Sequence, residues 1–185
     1  IIAAIMLFLG ILRASFTRYF SNLVRVFLNT SLRQSQLTDQ LLQSKLPSLF
    51  FNLFFGLISG MYIFLLLNYF GKTAYRDWTI LLFFILGILM IYLVKNAVLH
   101  FTGWLTGFRQ EAGTYIFIVF LINKIIALIL VPIVILMAFS SPRVVQITII
   151  ISYFLIGVML LLRFLRSYSL LQQKMKVSSF HFILY

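Results

Sequence analysis

The chain has no cysteine, only three acidic residues and only two histidines among its 185 residues. Without cysteine there are no disulfides, no thiol catalysis and no zinc or iron–sulfur site built on Cys ligands. Asp39, Asp77 and Glu111 are widely separated, so no two of them form the carboxylate pair of a hydrolase. His100 and His181 stand alone as imidazoles, and no His-x-x-x-His, Glu-x-x-His or Asp-rich cluster is present to hold a metal. The expectation is a non-enzymatic protein with no catalytic residues, no cofactor and no metal.

What is present is hydrocarbon and positive charge. Hydrophobic residues make up 63% of the chain, which includes 21 Phe, and the formal net charge is +12. Such an apolar share lies far above that of ordinary globular domains and points to a protein dissolved in lipid. The 15 Lys and Arg are distributed between apolar runs rather than gathered on one basic face, which argues against nucleic acid as a partner.

The apolar runs define the spans. Residues 1–12 are apolar but shorter than the ~20 residues that cross a hydrocarbon core, and read as the end of a first helix. A signal peptide would carry its positive charge ahead of the apolar run, whereas Arg13 and Arg18 follow it. Further spans are expected at 46–71, at 78–94 with Trp78 and Tyr92 as interfacial anchors, at 113–139 and at 144–162, and residues 180–185 read as the opening of a sixth. The segments after spans one, three and five hold eleven Lys and Arg, against three after spans two and four. Short cytoplasmic loops are enriched in these residues, which predicts a bacterial inner-membrane protein with its basic loops in the cytoplasm.

Two polar segments interrupt the pattern. In residues 15–29, Phe16, Phe20, Leu23 and Phe27 recur at helical spacing, while Arg18, Ser21, Asn22, Arg25 and Asn29 share the other face. This predicts an amphipathic helix, either lying on the membrane with Arg18 and Arg25 at anionic lipid headgroups or packed on the bundle. Residues 31–44, with Gln34, Gln36, Gln40 and Gln43, read as a solvated helix or loop. The second polar segment, 96–110, carries His100, Trp104 and Phe108 and reads as an extension of the third helix or a short interfacial helix. The expected fold is therefore all-α, a polytopic transmembrane helix bundle of five to six spans plus an amphipathic interfacial helix. It forms a single integral membrane domain over residues 1–185, with the interfacial helix and polar loop at about 13–45 and a cytoplasmic connector at about 95–112.

The most informative single residue is Lys124, the one charge between Glu111 and Arg143. An ammonium at such depth costs roughly 3 kcal/mol on insertion scales unless it meets a partner, water or the headgroup region. Glu111, Tyr115, Asn123 and Lys124 lie along the fourth span, and with His100 they make the candidate intramembrane polar site. Lys124 either binds an anion, a lipid phosphate or a partner's carboxylate, or snorkels its stem to the interface. Asn123 points about 100° away from it. Pro132 is expected to bend the same helix by freeing a carbonyl near Leu128. Gly56 and Gly60 form a GxxxG pattern that lets a neighbouring helix approach, with Asn52 and Asn68 flanking it as candidates for interhelical hydrogen bonds.

Several of these residues carry a resemblance. Gly113-Thr114-Tyr115-Ile116-Phe117, then Leu121-Ile122-Asn123-Lys124-Ile125-Ile126, Pro132 and the terminal Phe180-His181-Phe182-Ile183-Leu184-Tyr185 resemble a family of small polytopic inner-membrane proteins from Bacteroidota classed as a domain of unknown function. The resemblance covers nearly the whole chain. It implies an inner-membrane location and a final helix beyond Tyr185 containing an acidic residue and a proline, and it implies no activity.

Three functions are then open. A scaffold or accessory subunit of an envelope complex, such as one for secretion or surface assembly, would contact anionic headgroups and either a membrane-protein partner or further copies of itself. A transporter or lipid-handling protein would line a path for an anionic substrate with Lys124, Asn123 and His100. An enzyme acting on lipid is a third reading, with Glu111 and His100 as its acid–base pair.

Overall fold

The computed structural model describes residues 1–28, 41, 43–71, 78–107 and 109–184, with side chains for all of these except 110, 111 and 169–184. Asp39, Asp77, Asn29, Phe108 and most of the Gln-rich stretch lie outside the described residues, as do the side chains of Glu111 and His181. The described residues form six helices in chain order: α1 (Ile2–Ser15), α2 (Thr17–Leu28), α3 (Lys45–Tyr69), α4 (Trp78–Leu105), α5 (Arg109–Phe139) and α6 (Pro142–Leu184). The last four are long and apolar enough to cross a membrane, and α1 with α2 makes a fifth candidate if the bent pair is one span.

Helix boundaries follow local chemistry. Pro47 sits in the first turn of α3 and Pro142 opens α6, where an absent N–H removes no intrahelical bond. Gly107, at φ +76°, ends α4 in a left-handed conformation that side chains with a Cβ rarely adopt. Between α1 and α2 the chain turns by 95°. Thr17 stabilises that elbow, its hydroxyl donating to the carbonyls of Arg13 at 3.0 Å and Ala14 at 3.2 Å in the last turn of α1.

Packing centres on α5 and α3. About 72% of the most apolar window of α5 is buried and 61% of that of α3, against 28% for α6 and 11% for α4. Phe51, Phe54, Ile58, Ile122 and Val134 are fully enclosed at the centre. Without a strong hydrophobic drive between helices in lipid, close backbone approach does much of this work. Gly60 provides it, since a Cβ there would lie 2.9 Å from both the Cα and the N of Ile85 on α4. A Cβ at Gly56 would collide with the side chain of Leu89. One buried polar link ties the bundle across α3 and α6: the hydroxyls of Tyr62 and Ser152 are 2.7 Å apart. The interhelical bonds expected of Asn52 and Asn68 are incomplete, because Asn52 Oδ1 and Asn68 Nδ2 are buried without a hydrogen-bond partner.

The two readings of the stretch from Asn96 are decided, and the boundary expected at Phe180 shifts. The third span continues as helix to Leu105, so the stretch from Asn96 is an extension of α4 rather than a separate interfacial helix. The helix begun at Pro142 runs to Leu184, so Phe180 to Leu184 continue α6 instead of opening a sixth span. No Gly or Pro follows Gly157, and nothing in that sequence breaks the helix. Helix α5 passes through Pro132 without ending.

Candidate functional site

Helix α2 is short and carries an apolar stripe and an exposed basic edge. Its buried residues are Tyr19, Leu23 and Val26, with Phe16, Phe20 and Phe27 half-buried beside them and Arg18 and Arg25 exposed. The spacing i, i+4, i+7 seats this stripe against α5, so α2 is a helix packed on the bundle. Phe16 at the elbow stacks on Phe50, and Phe20 and Tyr19 pack against Phe51, with ring centroids between 5.4 and 6.2 Å apart.

Lys124 reaches this helix. Only 4% of it is exposed. Its Nζ donates to Tyr19 Oη at 2.8 Å and to Ser48 Oγ at 2.7 Å, and lies 5.5 Å from the Tyr19 ring centroid. Three helices therefore meet at one ammonium: α5 supplies it, α2 contributes the phenol and α3 the hydroxyl from its first turn. Burial pushes the Tyr19 phenol above its ordinary range, opposed in part by the neighbouring Ser48 hydroxyl.

The other end of α2 is held by a second cation. The Arg166 guanidinium on α6 donates to the carbonyl of Phe27 and lies 5.1 Å from the Phe27 ring centroid. A cation at the last carbonyls of a helix satisfies an orphan acceptor and complements the negative end of the helix dipole. Cations from two different spans consequently clamp α2 at both ends.

Asn123 faces elsewhere. It is 1% exposed, its Nδ2 has no hydrogen-bond partner, and it interacts with the Tyr92 hydroxyl of α4. Tyr92 also interacts with Arg163 of α6, and Arg163 lies within electrostatic reach of Lys95. Arg163 and Tyr115 line an open cleft of about 390 Å3 with Leu160, Phe164, Ser167 and Tyr168. A separate cleft of about 410 Å3 opens at the elbow, lined by Ser15, Phe16, Thr17, Arg18, Tyr19, Ser44 and Pro47. A third, apolar cleft of about 220 Å3 lies at the opposite end of the bundle, between Ile1, Met61, Trp78 and Phe139.

The five residues expected to share one polar site are accordingly dispersed. Lys124 joins Tyr19 and Ser48, Asn123 and Tyr115 belong to the Tyr92 and Arg163 side, and His100 is exposed on α4. The side chain of Glu111 lies outside the described residues. Sequence reasoning missed Tyr19, Ser48, Tyr92, Arg163 and Arg166. The stripe Tyr19, Leu23, Val26 was available as a signal at helical spacing, but a phenol among Phe residues does not announce a cation partner 105 positions away.

A family model described as Domain of unknown function (DUF4271) matches residues 1–185. Neither the curated proteins nor the solved structures contain a match to the chain.

Proposed function

The chain belongs to the family of this domain of unknown function, DUF4271, and from that starting point we propose that it is a non-enzymatic scaffold or accessory subunit of a bacterial envelope complex, such as one for secretion or surface assembly. The observation that carries this reading is the occupation of Lys124. A transporter of anions would need its intramembrane cation to face a substrate path, whereas this ammonium is taken up by the protein's own Tyr19 and Ser48. None of the three described clefts is lined by Lys124. The outer flank of α4, by contrast, presents Leu82, Phe83, Leu86, Met90 and Ile91 outward, a surface suited to lipid or to a partner's helix. The excess of Lys and Arg in alternate connections supports placing the protein in the inner membrane with that basic end in the cytoplasm. Exposed Arg18 and Arg25 then lie at anionic headgroups.

The test is a mild-detergent pull-down of the full-length protein from its native membrane, read by mass spectrometry. A stoichiometric membrane-protein partner or a defined oligomer is expected. Substrate-dependent uptake by the pure protein in liposomes would instead establish the second reading, a transporter or lipid-handling protein for an anionic substrate. That reading draws its support from Arg163, which lines an open cleft and lies within electrostatic reach of Lys95, rather than from Lys124.

A further inference from the structure

Helix α6 is longer than a bilayer is thick. Its 43 residues extend about 64 Å at 1.5 Å per residue. Even tilted by about 40°, the upper end for spanning helices, it would reach across about 49 Å, more than the ~40–45 Å of a bilayer with its headgroups. The contact with α2 shows which end protrudes. Arg166 of α6 holds the end of the amphipathic helix α2, so the helix from Ser167 to Leu184 continues for about 27 Å past that level.

An apolar stripe runs along the outer side of α6 and does not stop there. Ile147, Ile150, Phe154, Leu161, Phe164 and Tyr168 are each between 53 and 71% exposed. Their spacing alternates between three and four residues, with Gly157 completing the series, and a Cβ at Gly157 would meet nothing within 4 Å. The same register passes through Leu171, Met175, Ser178 and Phe182 in the part of the helix beyond α2. A 3.5-residue apolar repeat kept from 147 to 182 is the pattern of a coiled-coil seam. The face that holds α6 on the bundle is a different one. Ile149, Ser152 and Met159 are buried there, and their register continues through Leu170, Val177 and Phe180.

Within the bilayer an exposed apolar stripe is covered by lipid, so the flanking positions carry the argument. Beside the seam Ile151, Tyr153, Val158, Leu160 and Leu165 are exposed and largely apolar, as lipid-facing residues are. Past Arg166 the corresponding positions are Ser167, Gln172, Lys174 and Ser179. The flanks become polar where water begins, while Leu171, Met175 and Phe182 keep the seam apolar. Lipid does not reach those three positions, and a second helix covers them. The flanks also select the partner. Two copies of one chain in one membrane share an orientation, so a two-fold axis along the membrane normal sets their α6 helices parallel. That register sets Ser167 against Gln172 and Lys174 against Ser179, and no like charges meet. We propose that α6 pairs in parallel with α6 of a second copy of this chain, along the seam from Ile147 to Phe182. The pairing deepens the scaffold reading by naming one partner, and it rests on the membrane placement proposed above.

The chain has no cysteine, so single cysteines report the pairing without interference. Full-length variants are placed in phospholipid vesicles at a low protein-to-lipid ratio and oxidised with copper phenanthroline, and the disulfide-linked dimer is read on a non-reducing gel. Leu171→Cys and Ser178→Cys, on the seam, are expected to give the dimer. Gln173→Cys and Lys176→Cys, away from the seam, are expected to stay monomeric. Adding Met175→Lys to Ser178→Cys puts a charge into the seam and should lower the dimer yield about tenfold. Adding Gln173→Lys to Ser178→Cys should leave the yield unchanged. The proposal is overturned if neither seam cysteine cross-links, if all four positions cross-link alike, or if Met175→Lys leaves the dimer intact. A chain that stays monomeric here and still brings down a different membrane protein from its native membrane would overturn the pairing and leave the scaffold reading standing.

Discussion

Asn123 and Lys124 are neighbours on α5, yet they enter surroundings of opposite construction. Lys124 points into a closed junction where two hydroxyls from α2 and α3 are already in place around its ammonium. Asn123 points toward Tyr92 and, through it, toward Arg163, which lines an open cleft and lies within electrostatic reach of Lys95. The first surrounding fixes the position of a helix, and the second leaves Arg163 at an open cleft. Position on adjacent residues therefore says little about role: the separation of about 100° between successive side chains on a helix is enough to divide a structural cation from one with room for a ligand.

That contrast can be broken most directly at the junction. Removing both hydroxyls with Tyr19→Phe and Ser48→Ala strands a buried ammonium, and a loss of about 3–5 kcal/mol is expected, the scale seen when one side of a buried charged contact is deleted. A thermal or denaturant melt in detergent checks it, and a melt equal to wild type would show that the ammonium finds water or another partner. Arg163→Gln makes the matching change on the open side, and a shift below about 1 kcal/mol is expected in the same melt because a cation beside an open cleft gives up little on removal. Equal effects at the two places would erase the distinction.

Two further variants sharpen the account of what the junction is for. Gly60→Val forces a side chain against the Ile85 backbone and should cost about 1–3 kcal/mol through separation of α3 from α4, while leaving hydrogen exchange in α2 unchanged. Arg166→Ala removes the cation at the end of α2 and should cost about 1 kcal/mol. Its signature is local, with faster amide exchange in the last turn of α2 and little change in α5. Uniform acceleration across the bundle would show that Arg166 supports the whole fold rather than one helix end.

Much of the fold was legible in the sequence because apolar run length and helical periodicity are local properties. The runs around Gly56, Leu86, Leu121 and Ile151 each mark a helix long enough to cross a membrane, and the alternation at Phe16, Phe20, Leu23 and Phe27 marks α2. The ends were less legible. The sequence left the stretch from Asn96 open between an extension of the third helix and a short interfacial helix; it holds no proline, Gly103 is accommodated inside the helix, and α4 continues to Leu105. The separate sixth span expected at Phe180 fails for the same reason, since no helix breaker precedes it. Lys124 stood out as anomalous from its surroundings alone, whereas the grouping of Lys124, Asn123, Tyr115, Glu111 and His100 into one site assumed that nearness along a helix means a shared face.

The sequence by itself determined that the chain is helical and lipid-compatible, which of its helices are long enough to span, and that a lone cation sits among apolar residues. Those properties depend on side-chain hydropathy and on spacings of a few residues. Tertiary structure alone decided what that cation meets. Tyr19 and Ser48 lie 105 and 76 positions from Lys124, and Phe27 lies 139 from Arg166. Which distant hydroxyl or carbonyl arrives at a given ammonium or guanidinium depends on how the helices pack and where the elbow at Phe16 turns the chain, and no local pattern encodes that meeting.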